Sequence, residues 1–328
     1  DGTVEKIQQS LHPRQVVIFS EVEENPSIAT VDAGARKCRE SDCNLVVAIG
    51  GGSVLDAAKA MALLQTNEGS IEHYIVAKPE KVAKGLPVIT VPTTSGTGSE
   101  VTPFSVLTYP AEQAQPAIFY PQMFPVAAIV DPQLTQSMPE TVRASTGLDT
   151  LCQAVEGYWS KRANPLTRSL SAKGFLIAMR SLEDACLRSD RLSISNMALA
   201  SLITGMQMSH VGNTAIHSLS YPFTVDHDIP HGFACVIFLP AFLRFNSDAI
   251  TDLFVDILAP LQLDSVESLA TRIEEMMKKV GAPLTLSQYG VSEEQLPSMV
   301  RRGITPSTQL NPKALEEEDM VAICRGLL

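Results

Sequence analysis

The sequence contains no run of lysine or arginine longer than two, and its formal net charge is −11. Proteins that grip a phosphate backbone present a basic patch, so no nucleic-acid partner is expected. None of the six cysteines (Cys38, Cys43, Cys152, Cys186, Cys235 and Cys324) sits in a C-x-x-C pair. A zinc ribbon or thioredoxin-type motif is therefore not indicated. Six thiols spread over 328 residues do not make a disulfide framework. A reducing, cytoplasmic setting is the expectation. Long apolar runs are also scarce. The most apolar stretch, around Phe233–Phe242, contains Pro240 and is too short to span a bilayer, so no membrane partner is expected. No signal peptide is recognised, and no internal repeat or low-complexity tract is present. No Ser/His/Asp or Cys/His arrangement stands out with a convincing nucleophile.

What is present is apolar material for sizeable cores. Hydrophobic residues make up 45% and charged residues 19%, over a length that suggests two domains. The first half alternates short β-rich runs with helical spacing. Gln15–Ser20 reads as a strand and residues 27–38 as a helix. Asn44–Ile49 is a near-continuous apolar run ending at glycines, as a buried parallel strand would be. Residues 53–64 read as a helix, and residues 87–92 and 127–131 as further strands. This alternation predicts an α/β domain with a parallel sheet. From Thr146 onward the periodic segments are long and helical. The predicted organisation is an α/β nucleotide-binding domain over residues 1–145 and an all-α domain over 146–328, with the boundary in residues 132–145. Because the chain opens with a helix-like stretch at residues 4–11, the first strand of the nucleotide-binding domain is expected to be missing.

Two loops follow two buried strands. Gly50-Gly51-Gly52-Ser53 joins strand to helix, with Asp56 and Lys59 on that helix. Glycine permits close backbone approach, and a helix N-terminus offers unpaired N–H groups to an anion. Together they suit a pyrophosphate. A tight strand-to-helix turn would use the same residues, and the G-x-G-x-x-G fingerprint is absent. The second loop, Pro92 to Glu100, is dense in hydroxyls and glycines, as a loop wrapping a ribose or amide would be. A solvated Ser/Thr turn would look similar, but two such loops in succession favour a ligand site.

Asp149 lies on a predicted helix with Gln153 four residues on, hence on the same face. His217 ends another helical segment and His231 precedes the next. A carboxylate with two imidazoles suits Fe(II), Zn(II) or Mn(II) and can leave positions open for a substrate. A histidine at a helix end is also commonly structural. Tyr221, four residues after His217, either relays a proton near the cofactor or packs with a satisfied hydroxyl.

GGGSVLDAAK and PTTSGTGSE, about forty residues apart, resemble the cofactor loops of the iron-containing alcohol dehydrogenases. The likeness continues through VDPQLTQSMP, ASTGLD and IPHG, and covers about Gln15 to Asn246. It implies the dehydroquinate synthase-like fold of that family, NAD or NADP as cofactor, and Fe(II) or else Zn(II) as metal. It also implies a homodimer or higher homo-oligomer. By this resemblance Gly51, Gly52 and Ser53 hold the pyrophosphate, with Asp56 beside them. Thr93, Thr94, Thr97 and Ser99 contact the adenosine or nicotinamide parts. Asp149, His217 and His231 match three of the family's four metal ligands, and Gln153 stands where the family has His. An amide oxygen is the weaker ligand, yet related glycerol dehydrogenases resemble a minimal set of one Asp and two His.

The implied reaction is hydride transfer between nicotinamide and a small aldehyde or primary alcohol, with the metal polarising the carbonyl. Gln153 together with Tyr158-Trp159-Ser160 resembles the phosphonoacetaldehyde reductases (2-hydroxyethylphosphonate dehydrogenases). That implies a phosphonate substrate and a cationic partner for it, for which Arg143 is the candidate, ahead of Lys161 and Arg162. Arg143 serves equally as a cap or salt bridge at the domain boundary. The alternatives are a general short-chain alcohol dehydrogenase, a lyase of the sugar-phosphate cyclase type, and a metal-free nucleotide-binding relative.

Overall fold

Apolar strand residues need a partner ladder, and three segments supply one another. In this computed structural model, which describes residues 2–328, Val46–Gly50 (β1), Val88–Pro92 (β2) and Ala127–Ala128 (β5) form a parallel sheet in the order β1-β2-β5. The β1–β2 register runs from Val46 opposite Val88 to Gly50 opposite Pro92. Phe104–Val106 (β3) and Ala117–Phe119 (β4) pair separately as an antiparallel hairpin. The helices between them are Thr3–Ser10 (α1), Ile28–Glu40 (α2), Gly52–Leu63 (α3) and Ile71–Val76 (α4). Ser27 caps α2 by accepting from Thr30 N–H, and Lys37 and Arg39 oppose the dipole in its last turn. Ala-rich α3 buries Leu55, Ala57, Ala58, Ala60, Ala62 and Leu63, because small side chains let a helix lie close on a sheet.

Two expectations for this region need correction. Gln15–Ser20 is not a strand: it has no ladder partner among the described residues, and Val17 and Ile18 are left 38% and 43% exposed. β-propensity without a neighbour to pair with does not make a strand. The expected strand at 127–131 shrinks to Ala127–Ala128, opposite Ile89 and Thr90, while Val126 and Ile129 remain exposed.

The remaining elements are helical: Glu140–Trp159 (α5), Pro165–Arg188 (α6), Arg191–Val211 (α7), Ala215–His227 (α8), His231–Ile250 (α9), Val255–Leu258 (α10), Val266–Lys279 (α11), Leu296–Gly303 (α12) and Glu317–Arg325 (α13). Start signals are explicit in the sequence. Asn164 and Thr167 make a reciprocal capping box with Pro165 at the first helical position, Asp190 accepts from Ser193 N–H, and Ser265 and Ser268 cap α11. α9 is the one helix among the described residues that is long and apolar enough to cross a membrane, and 67% of that apolar window is buried. Phe233, Phe238, Leu239, Phe242 and Leu243 of α9 lie in one core with Leu148, Leu151 and Val155 of α5. Full burial of each such side chain stabilises the fold by roughly 1.5–3 kcal/mol. The short apolar run seen in the sequence is thus part of a 20-residue core helix.

By contacts the chain divides into two units. The first comprises the residues up to Thr93 together with Thr102–Ile129, and the second Thr94–Val101 together with Val130–Leu328. The boundary region expected at residues 132–145 runs into α5, whose start is set by Pro139 at its N-cap. The hydroxyl-rich loop also belongs to the second unit. Gly98 there has φ +62°, and a Cβ on it would stand 2.4 Å from Gly205 Cα of α7. Glycine at both positions is what lets the loop lie against that helix.

A second close approach fixes the start of α9. A Cβ on Gly232 would stand 1.9 Å from the Ser145 carbonyl oxygen of α5, and a backbone atom cannot swing aside. Gly232→Ala is expected to destabilise the protein by about 3 kcal/mol or more, read as a lower midpoint in urea unfolding. An unchanged midpoint would mean that α5 and α9 separate without cost.

Candidate functional site

α5 presents Asp149, Gln153 and Glu156 along one buried face. Against that face the N-terminal turns of α8 and α9 place His217 and His231. His217 Nε2 lies 3.1 Å from Asp149 Oδ1. The His217 and His231 ring centroids are 5.4 Å apart, and the Tyr221 ring stacks on His231 at 5.4 Å and 15°. Asp149 and His217 are buried, and His231 and Tyr221 are half-buried.

Glu156, which the sequence reading passed over, organises this face. It is fully buried. Its Oε1 accepts from Thr214 N–H (3.0 Å), Thr214 Oγ1 (2.7 Å) and Ile216 N–H (2.9 Å), which are the unpaired donors at the start of α8. Its Oε2 takes the Nδ1–H of His217 in a short contact. With Nδ1–H held by Glu156, Nε2 is the nitrogen directed at Asp149: while protonated it donates to Oδ1, and with that proton displaced its lone pair is the one a metal would meet. The available signal was spacing: Glu156 is seven residues after Asp149, two helical turns along the same face.

The second missed residue is Cys235. It sits four residues after His231 on α9, with Sγ 3.7 Å from His231 Nε2. Asp149, His217, His231 and Cys235 each offer one ligand atom, and these atoms all lie within 4.8 Å of one another. Burial by itself would raise the Cys235 thiol, but the His217 and His231 imidazoles outweigh it and hold it down at about 7. Burial also opposes charge on His217, where Cys235 and Glu156 prevail and keep the imidazole well above its ordinary value. A cysteine–histidine arrangement therefore exists, which the search for sequence motifs did not find. The donor set of carboxylate, two imidazoles and a thiol fits a divalent transition metal.

Gln153 was expected to be a ligand, and its observed orientation speaks otherwise. Its Nε2 donates to Asp149 Oδ2 (3.0 Å) and to Thr97 O (3.4 Å). Its Oε1 instead accepts from Thr204 Oγ1 (3.5 Å). Two acceptors on one side fix which end of the amide faces the cluster, and that end is the NH2, which has no lone pair for a metal. Gln153 steadies Asp149.

Arg143 also departs from its expected role. Its guanidinium donates to Ala185 O (3.0 Å), Ser189 Oγ (2.9 Å), Gln136 O (2.9 Å) and Met138 O (3.1 Å). The cavity it helps to line, with Ser95 and Gly147, measures about 10 Å³, room for at most one water. Arg143 therefore fastens the end of α6 to the turn before α5 and is not free to meet a phosphonate. Lys161 Nζ likewise donates to a carbonyl, that of Gln309, at 3.2 Å.

The expected cofactor residues fall in both units. In the first, Gly51 is the N-cap of α3 and no side chain caps that helix, so Gly52 and Ser53 open a turn whose amides suit a pyrophosphate. Thr93 N–H donates to Gly50 O (2.9 Å), joining the ends of β1 and β2. Asp56 was expected beside the cofactor. Its carboxylate instead pairs with buried Lys59 (3.0 Å) and accepts from Val106 N–H of β3 (2.9 Å), a structural tie. In the second unit, Thr97 Oγ1 accepts from Ser99 N–H (3.2 Å), and Thr94 is half-buried.

Comparison with known proteins points to one family. The model of the iron-containing alcohol dehydrogenases matches residues 1–132, and that of the Fe-containing alcohol dehydrogenase family, C-terminal, matches residues 143–328. The long-chain-alcohol dehydrogenase 1 of Geobacillus thermodenitrificans is 33% identical, over 98% of this chain and 85% of that protein. The 1,3-propanediol dehydrogenase of Klebsiella pneumoniae is 32% identical, over 99% and 87%. Among solved structures, sulfoacetaldehyde reductase from Bifidobacterium kashiwanohense in complex with NAD+ superposes with a TM-score of 0.94 at 33% identity, covering 99% of this chain and 87% of that one.

Two substitutions separate orienting roles from others. Glu156→Gln keeps an oxygen for the α8 amides but puts an NH2 at His217 Nδ1, so metal affinity should fall by roughly 10–100-fold, measured by chelator competition. Unchanged affinity would show that Glu156 does not set the tautomer. Arg143→Ala strands four acceptors and should destabilise the protein by about 3 kcal/mol in chemical denaturation. It should leave the ratio of kcat/KM between anionic and neutral aldehydes within about two-fold, since a two-fold change is only ~0.4 kcal/mol. A collapse of that ratio would restore Arg143 to the substrate.

Proposed function

The chain belongs to the iron-containing alcohol dehydrogenase family, and we propose that it is a metal-dependent, NAD(P)-linked reductase of a two-carbon aldehyde bearing a terminal anionic group, such as phosphonoacetaldehyde. The convergence of Asp149, His217 and His231 carries the reaction class. The substrate class rests on the resemblance of the Asp149–Ser160 segment to phosphonoacetaldehyde reductases. It is supported by the likeness to a solved sulfoacetaldehyde reductase, an enzyme named for a two-carbon aldehyde with an acidic headgroup.

When bound, the metal supplies Lewis acidity to the carbonyl oxygen and the nicotinamide supplies the hydride. The chain's own residues prepare that chemistry. Glu156 fixes the His217 tautomer, Gln153 holds one Asp149 oxygen so that the other faces His217, and Tyr221 holds the ring plane of His231. Burial of Asp149 and His217 excludes water and strengthens the field at the reacting oxygen. Gly51, Gly52 and Ser53 hold the pyrophosphate at the α3 N-terminus. The relatives' names also include alcohol dehydrogenases acting on neutral substrates, which favours a general alcohol dehydrogenase as the second reading.

The test is kcat/KM for phosphonoacetaldehyde, sulfoacetaldehyde and propanal, with NADH and with NADPH, on metal-loaded protein. The expected result is a preference of at least about ten-fold for an anionic aldehyde, equivalent to ~1.4 kcal/mol. Equal values for all three would leave the general alcohol dehydrogenase reading. No turnover of any aldehyde would remove the reductase.

A further inference from the structure

A metal bound by Asp149, His217 and His231 has a fourth position to fill, and the side chain expected there faces the wrong way. Gln153 turns its NH2 toward Asp149 and Thr97 O, and its oxygen toward Thr204. Rotating the amide by 180° would set its oxygen against a carboxylate and a carbonyl, two acceptors with no proton between them. The amide orientation is therefore locked by its neighbours, and Gln153 offers no oxygen to the set.

We propose that Cys235 is the fourth donor, and that the Asp149/His217/His231/Cys235 set selects zinc over iron. This rests on the metal-dependent reading above and specifies its metal. Ligand atoms at ~2.0–2.3 Å from a zinc with four protein ligands stand about 3.3–3.6 Å from one another, and zinc expands to five-coordinate to take a carbonyl oxygen. Asp149 Oδ1 and His217 Nε2 are 3.1 Å apart, and His231 Nε2 and Cys235 Sγ are 3.7 Å apart. All four atoms fit within 4.8 Å, so small side-chain rotations close the shell.

The sequence builds this contact simply. His231 and Cys235 are four residues apart on α9, and residues at that spacing share a face. Backbone clearance at Gly232 lets the first turn of α9 press against Ser145 of α5, which brings that face to Asp149. Cys235 is fully buried, and its thiol donates to Ser220 Oγ at 3.3 Å, which keeps Sγ on the cluster side. Binding a cation displaces the thiol proton, and the thiolate charge then joins that of Asp149 in balancing the metal's two positive charges. Thiolate is a soft ligand. Alongside imidazole it favours zinc, whereas an all-N/O set is more permissive of iron.

The experiment uses the full chain, stripped with chelator and reloaded with Co(II). A near-ultraviolet thiolate-to-cobalt charge-transfer band is expected in the native protein. The band should vanish in Cys235→Ser, with cobalt still bound through the other three ligands, and persist in Cys152→Ser, the buried neighbouring thiol. In zinc competition Cys235→Ser should lose at least about ten-fold in zinc affinity. A variant that fails to fold is bypassed by X-ray absorption of the native zinc protein, where one sulfur at ~2.3 Å is expected. Cobalt bound without a thiolate band, a band that survives Cys235→Ser, or a zinc shell without sulfur would each overturn the thiolate ligand and leave the reductase standing. Failure to bind any metal would overturn both.

Discussion

A single buried carboxylate holds the candidate site together. Glu156 has no solvent to neutralise its charge, so its oxygens must be saturated by protein donors. Those donors are the opening amides of α8, the Thr214 hydroxyl and His217 Nδ1. The negative charge sits at the positive end of the α8 dipole, where it is most stabilised. One interaction thus fixes the start of a helix, the tautomer of an imidazole, and the distance from that imidazole to Asp149. Thr214 Oγ1 also accepts from the Trp159 indole N–H at 3.0 Å, which ties the end of α5 to the same knot.

From this constraint the rest of the donor set follows by helix periodicity. Asp149, Gln153 and Glu156 are spaced four and three residues apart, so all three share the face that meets α8. Gln153 relays the order outward: its carbonyl accepts from Gln207 Nε2 at 3.0 Å, and its side chain reaches Thr97 and Thr204. The hydroxyl-rich loop is thereby bonded to the helix that carries the carboxylate, with Thr150 Oγ1 adding a contact to Gly96 O at 3.3 Å. The residues that order the donor set and the Thr94–Val101 stretch of the hydroxyl-rich loop belong to one hydrogen-bonded network within the second unit.

The sequence made some of this legible and concealed the rest for physical reasons. Strands β1 and β2, helix α3 and the long helices declare themselves through apolar runs and caps, which are local signals. The meeting of Asp149, His217 and His231 was legible through resemblance, since spacing alone does not bring together residues of three helices. Gln15–Ser20 misled because a strand is defined by its partner, and its own residues do not specify one. Arg143 misled for a related reason. A cationic side chain near a helix start looks available for an anion, and only the fold shows that the carbonyls of Gln136, Met138 and Ala185 converge on it.

Cys235 and Gln153 present the sharper contrast. Spacing between cysteines is the right test for zinc ribbons and disulfides. It is blind to the spacing of Cys235 from His231, four residues away on α9, which brings Sγ to 3.7 Å from Nε2. Gln153, in turn, was weighed as a substitute for histidine at a ligand position. An amide has a donor end and an acceptor end, and its role is decided by which end its neighbours demand. Asp149 and Thr97 O both demand hydrogen, so Gln153 becomes a support for the carboxylate. The two residues complement one another: a glutamine turned into a hydrogen-bond donor offers no oxygen from α5, while the Cys235 thiol on α9 lies within 4.8 Å of the Asp149, His217 and His231 donor atoms.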